Sequence, residues 1–598
     1  MRMINIVAAA FAIVLPVAKA FTQQTYSREF DTILLAHQLT PAGPIPTVLD
    51  PNGVYPYQSF SETSDRPVAR TFRMVELQND VMRVLICPSL GGKVFSMQHK
   101  PSRKEVLYVP EVIRYTRILP RFYFVAGGIE VSFPISHSPT QNDLVKYRID
   151  KQNGRTYVTC GERELRFGMQ WSVEYSLGAS DKYLTQRVKF HNPGTKAYPW
   201  MSWSNAAMPA GDDTQFDFPN GEVLSHSSVI DTINWQTEGP KTEKDIPEMT
   251  GYFWKTKDVN AFGAFNPESG TGLYHIADPR IAGGIKLWSY GSGDDSTWST
   301  LSTASHQRYV EIQGGPIGDQ SIKLEMQPGE TRWHVEYWMP TAHRENIRQM
   351  KVPNVQLRSL DQLPLFEWAR GAEVSIWNEL AKPASQKAIL KAPAVLQQLW
   401  APSGMEKLES SFLEAIANSK GAEKDLWNLH FGVWLTSRDE DRRALEYLSK
   451  SSSGVARVIE SRIYVAKNND YKRAAECFSK IKEPWLQLHP QVIVERDKIL
   501  RKLGPETINE RRSWLDRVNA LADEWVIERR IQLLIDEGKY KDAYDLLMST
   551  PFQKVHQTYT RTALWKQVCR QAGKPCNEIP AQLGEDRLAV FGAYREFE

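Results

Sequence analysis

Between Arg70 and Pro340 apolar and polar residues alternate. Trp171, Val173, Tyr175 and Leu177 are separated by Gln170, Ser172, Glu174 and Ser176, the period of a half-buried antiparallel strand. Trp333, Val335, Tyr337 and Met339 repeat that pattern around His334 and Glu336, which predicts a second strand of the same kind. Gln78-Asn79-Asp80 parts Met74–Leu77 from Val81–Ile86 as a hairpin turn would. Turn signals recur roughly every ten residues with little helical spacing, so this half reads as one large β sandwich or barrel.

After Val352-Pro353-Asn354 helical spacing takes over. Arg442–Leu448, Tyr471–Phe478 and Tyr540–Leu547 look alike, each with a central alanine: Ala444, Ala474 and Ala543. The first two alanines stand 30 residues apart and the next two 69 apart, close to one and two units of a roughly 34-residue tetratricopeptide-type repeat. Asp536-Glu537-Gly538-Lys539-Tyr540 supplies the turn such a repeat needs between its paired helices. A helical bundle with coincident alanines is the plainer alternative. The expected division is an export signal over 1–20, an N-terminal arm over 21–60, a β domain over 61–345 and a helical domain over 360–598.

Composition narrows the function classes. The chain holds 73 basic and 70 acidic residues, a net charge of +3, and no basic block interleaved with aromatics, which argues against a nucleic-acid partner. Its five cysteines are too few for a disulfide scaffold, although Cys569 and Cys576 are close enough in sequence to bridge. No CxxC and no HExxH occurs, so neither a zinc site nor another cofactor is expected. Arg2, the apolar run Ile4–Val17 and Ala18-Lys19-Ala20 read as a cleaved export signal, giving a secreted chain from near Phe21 with no membrane span. An uncleaved anchor is the alternative.

Four strings carry candidate chemistry. Gly127-Gly128-Ile129-Glu130 through His137 puts a carboxylate and an imidazole, the usual proton-transfer pair, beside two glycines that permit close backbone approach; a buried structural turn would look the same. In Tyr309-Val310-Glu311-Ile312-Gln313, alternation projects Tyr309, Glu311 and Gln313 from one face. An aromatic, a carboxylate and an amide together suit a pyranose; the polar side of an edge strand is the bland reading. Trp203 and Asn205 share a face, as do Lys286, Trp288 and Tyr290, and His275 is expected to face the same site. Each aromatic taken alone is more often core packing.

The ordered strings Gly91-Gly92-Lys93-Val94, Gly127-Gly128-Ile129-Glu130, Trp203-Ser204-Asn205-Ala206, Lys286-Leu287-Trp288 and Glu311-Ile312-Gln313 resemble a domain family of unknown function in the galactose-mutarotase-like superfamily. The resemblance covers roughly residues 55 to 345. It implies a β-supersandwich with a sugar cleft on one concave face, followed by tetratricopeptide-like repeats. It also implies aldose 1-epimerase chemistry: Glu311 as base, with His275 or His137 as acid. Neither histidine stands in the usual epimerase motif, where this chain has Trp203 to Asn205 instead. Two other readings stay open. Glu130 and Glu311 could form a glycosidase carboxylate pair, or the β domain could only bind sugar while the concave helical repeats recruit a protein partner.

Overall fold

The structure is a computed structural model that describes residues 25–576, 580 and 583, apart from 51–52, 65, 118–122, 228–229, 256–257, 294–302, 304, 306, 320–322, 371–372, 389, 397–398, 520 and 553–559. The expected export signal over 1–20 lies outside the described residues. Among these, no helix is long and apolar enough to cross a membrane. Cys569 and Cys576 are free thiols, as are Cys87, Cys160 and Cys477.

The first half is two large sheets packed face to face, and the second half is helical. One sheet has 13 strands. Through its middle run Lys93–His99, Ile129–Val131, Ser204–Pro209, Tyr309–Gly314, Lys286–Ser289 and Thr250–Trp254, side by side in that order and antiparallel. The other has eight strands, with Gln170–Gly178, Leu184–His191, Thr331–Thr341 and Thr271–Ala277 at its centre. Val84, Val94, Ile129, Ala206 and Ile312 of the first sheet meet Val158, Trp171, Val173, Val188 and Trp338 of the second in one apolar core. The expected hairpin forms, and Asn79 holds it: its side-chain oxygen accepts from the Val81 and Met82 amides.

Two strands predicted to be half-buried differ from that expectation. In Gln170–Gly178 all but the last residue are buried on both faces. The segment that leads from the sandwich to the helices crosses the face expected to meet water. Gln170 donates to the Phe366 carbonyl and Ser172 to that of Pro364. Arg358 binds Glu174 and Asp150 and lies over the Tyr157 ring. In Thr331–Thr341 the sides are reversed. His334, Glu336 and Trp338 point into the sandwich, while Val335, Tyr337 and Met339 pack outward against Ile347, Met350, Val352 and Val355, and Trp333 is exposed.

The helical half starts at Ser375 and consists of paired helices. Ala444, Ala474 and Ala543 are fully buried where the second helix of a pair crosses its neighbour. The turns inside the pairs each need one left-handed residue: Asp439, Asn469, Gly504 and Gly538, spaced 30, 35 and 34 residues apart. The pair around Gly504, Pro490–Leu503 with Ile508–Arg517, explains the doubled spacing between Ala474 and Ala543. It lacks the alanine and buries Arg511 on Asp497 and Asp536 instead.

The N-terminal arm belongs to this half as much as to the sheets. Tyr26–Ala36 adds a strand beside Val68–Gln78, but Ile45, Val48, Val54, Tyr55 and Tyr57 sit in the core of the helices. Arg462 donates to the Pro46 and Val48 carbonyls, and Tyr55 to that of Ala401.

The Arg358 crossing yields a test. Buried Glu174 is held by Arg187 as well as by Arg358, so losing Arg358 removes one of its two cations, and a hydrogen bond to a charged group is worth about 1.5–3 kcal/mol. Arg358→Ala is expected to lower stability by about that amount in urea unfolding. A loss below about 1 kcal/mol, the range of surface ion pairs, would show that Arg358 does not hold the crossing segment to the second sheet.

Candidate functional site

Strand register assembles the site. Glu130 lies opposite Asn205, Asn205 opposite Gln313 and Gln313 opposite Lys286, so four strands contribute one row on the sheet face away from the core. The next row on that face runs from Ala207 through Glu311 to Trp288. Tyr309–Gly314 is a central strand with all six residues buried, which removes the edge-strand reading.

The paired glycines work differently from the expectation that they admit a ligand. Gly127 and Gly128 have φ of 89° and 71°. A Cβ on Gly128 would stand 2.0 Å from the Val94 carbonyl oxygen, and one on Gly127 would stand 2.4 Å from that of Tyr108. Here the close approach is between strands of the protein itself, and it lays Lys93 beside Glu130.

Glu130 is the best-held group in the site. Its Oε1 accepts from Ser132 Oγ at 3.2 Å and from Gln141 Nε2 at 2.9 Å, and His137 Nδ1 lies 3.2 Å away. Burial alone would raise the Glu130 pKa, but His137, Lys93 and Ser132 outweigh it and hold the carboxyl below its ordinary value. His137 responds in the opposite sense. Burial pulls it down, Glu130 and Glu311 more than offset that, and the imidazole sits above its ordinary value. Phe124 and Trp203 enclose the ring edge-on, with centroids 5.1 and 5.9 Å away.

Among the described residues no cation is bonded to Glu311. Burial, helped by the charge of Glu130, raises it to about 7, although His137 and the amides of Asn205 and Gln313 favour its ionised form. Gln313 Nε2 donates to it at 2.9 Å. Lys93 donates to the Val125 carbonyl at 2.8 Å, and its charge acts on both carboxylates. Trp288 is half-buried at the rim, whereas Tyr309 is fully buried, stacked 5.0 Å from Tyr108 and edge-on to Tyr290. Tyr309 is therefore a wall beneath the site and not a surface for a ligand.

His275 is elsewhere, which corrects its expected place. It points between the sheets, packed on Phe262 and Trp338. Its Nε2 is 2.8 Å from Glu336 Oε1, and the other carboxyl oxygen takes Gln186 at 2.9 Å and Ser204 at 2.5 Å. Gly314 makes room for this pair, since a Cβ there would stand 2.5 Å from His275 Nε2. The Tyr309–Gly314 strand thus separates His275 from Glu311. Sequence reasoning passed over Lys93, Ser132 and Gln141 as site residues. A usable signal existed for Lys93, a charge set directly after a glycine pair in a strand. Among the described residues no group of three or more His, Cys, Asp or Glu could hold a metal ion.

Comparison with known proteins agrees with this architecture. The model for Domain of unknown function (DUF5107) matches residues 49–341, and a model described as a C-terminal domain matches 377–568. The crystal structure of a TPR-domain containing protein from Parabacteroides distasonis is 58% identical. That match covers 94% of this chain and 98% of that one, with a TM-score of 0.90. The chain belongs to the family of that TPR-domain containing protein, and in this chain the stretch matched by DUF5107 precedes the helices. Galactose mutarotase-like proteins from Clostridium acetobutylicum and Lactobacillus casei also match. They are 13% and 11% identical and cover 45% of this chain in each case, with 95% and 99% of their own lengths and TM-scores of 0.34 and 0.31. Likeness at that level carries no argument about chemistry.

The buried Glu336 gives a pH test. Burial would raise its pKa, but the bonds to His275 and His334 hold it far below the ordinary value. A depressed carboxyl stabilises the fold fully above the unfolded value, about 4.3, and loses that contribution as pH falls through the folded value. Glu336→Gln should therefore be less stable than wild type at pH 6, with the gap narrowing below about pH 4. A gap that is constant from pH 6 to pH 3 would contradict the ionised pair.

Proposed function

We propose that the β domain binds a pyranose over Glu130, Asn205, Glu311 and Gln313 and moves protons at its anomeric centre, with Glu311 as base and His137 as acid. The observation that carries this reading is that two carboxylates on one sheet face are held in opposite states. Glu130 is kept ionised against His137, while Glu311 is raised to about 7. A carboxyl near 7 can take and return a proton at neutral pH, and the raised pKa of His137 favours the imidazolium form that can give one.

The step balances without an oxidant or cofactor. Glu311 accepts the proton of the anomeric hydroxyl as His137 donates one to the ring oxygen. The bond between C1 and that oxygen breaks, and an open-chain aldehyde forms. Closure on the other carbonyl face reverses both transfers. Trp288, half-buried at the rim, offers apolar surface to the sugar, and the amides of Asn205 and Gln313 meet its hydroxyls. A glycosidase pair is less well supported, because Glu130 already accepts from Ser132 and Gln141 and is paired with His137. The apolar run Ile4–Val17 before Ala18-Lys19-Ala20 supports action outside the cytoplasm.

Anomer exchange on a panel of free sugars, followed by NMR, tests the proposal. Glu311→Gln should slow exchange by about 10²–10⁴-fold while leaving sugar affinity within about 0.5–3 kcal/mol. In wild type, kcat/KM should rise with pH through about 7 as Glu311 ionises, then fall as His137 loses its proton above its raised pKa. Sugar binding with no exchange would make this a binding domain. Exchange unaffected by Glu311→Gln would remove Glu311 from the chemistry.

A further inference from the structure

Lys286 is not accounted for by the proton transfers above. It stands at the end of the row opposite Glu130, only 1% exposed. Its Nζ has no hydrogen-bond partner among the described residues. Its neighbours are ring faces: Nζ lies 4.6 Å from the centre of Trp203 and 5.8 Å from that of Phe253. Two more buried polar atoms on this face share the condition, Trp203 Nε1 and Asn205 Oδ1.

The contrast with Lys93 is informative. That lysine is equally buried, but it donates to the Val125 carbonyl and lies within the field of Glu130 and Glu311. Among the described residues, the charge that acts on Lys286 is that of Asp319. Ring faces attract an ammonium, but they do not replace the strong acceptors that a buried cation normally pairs with.

We propose that Lys286 anchors an anionic group on the saccharide, so that the site takes an acidic sugar such as a uronic acid. The inference rests on the sugar-binding reading above. Lys286 faces Gln313 directly and is diagonal to Glu311 on the neighbouring strand, a Cα separation of roughly 7–8 Å in an antiparallel pair. A pyranose with its anomeric carbon toward Glu311 and a carboxylate on C5 spans that diagonal. The carboxylate then accepts from Nζ. Burial lowers Lys286 to about 7. An anion seated on it favours the charged amine, so binding takes up a proton near neutral pH.

Calorimetry with wild type, Lys286→Met and Lys286→Arg tests this on three ligand sets: neutral hexoses, the matching uronic acids and the matching sulfated sugars. Wild type should favour an acidic set over its neutral parent by roughly tenfold or more, the worth of one charge-assisted hydrogen bond. The carboxylate and sulfate arms identify which anion is taken. Binding heats in two buffers of different ionisation enthalpy should show proton uptake for the acid alone. The acid-to-neutral ratio should collapse in Lys286→Met and return in Lys286→Arg. Because Lys286→Met removes an unpaired buried charge, its Tm should not fall, which separates lost recognition from lost folding. Equal affinity for acidic and neutral sugars in wild type, or a ratio that survives in Lys286→Met, overturns the Lys286 assignment alone. No binding of any sugar by wild type overturns the sugar-binding reading and this inference with it.

Discussion

The strand Tyr309–Gly314 is buried on both sides, and its two faces do opposite work. Val310 and Ile312 close the sandwich core, while Glu311 and Gln313 face the candidate site. Because successive side chains leave a strand on opposite sides, a slip of one residue would drive Glu311 into the core and Ile312 into the site. Its register against Ser204–Pro209 and Lys286–Ser289 therefore sets both the packing and the chemistry. Gly314 shows how tightly the faces are coupled, since the buried His275–Glu336 pair occupies the space its missing side chain leaves.

The electrostatics follow from that burial. Glu130, Glu311, Lys93, Lys286 and His137 all sit on a face that water hardly reaches, so each charge state is set by its neighbour and not by solvent. Glu130 and His137 stabilise each other. Glu311 shares the face with Glu130 and is left the weaker acid of the two. Lys93 and Lys286 flank the carboxylates from opposite ends of the row. Similar side chains thus acquire different protonation states from a few ångströms of placement.

The helical half does more than follow the sandwich. The segment after Thr341 covers the second sheet through Arg358, and the arm before Phe60 is held in the helical core through Tyr55 and the carbonyls that Arg462 binds. A cavity of about 1180 Å³ remains beside that arm, lined by Leu49, Tyr471, Lys498 and Trp525 among others. It lies in the helices, away from Glu311. The chain's own arm thus occupies part of the surface that the helices present.

The sequence by itself determined the local order of the fold. Alternation located strands, the Asn79 turn and the face shared by Glu311 and Gln313, and alanine spacing located the paired helices. It could not decide which side of a strand faces inward where both sides are buried. All of Thr271–Ala277 is buried, so alternation separated His275 from Tyr274 and Ile276 without saying that His275 enters the core. The same ambiguity reversed Thr331–Thr341, where Glu336 is inside because His275, Gln186 and Ser204 satisfy it there. Only the tertiary structure brought Glu130, Asn205, Gln313 and Lys286 into one row. Pairing between strands far apart in sequence depends on the whole sheet, and no local pattern encodes it.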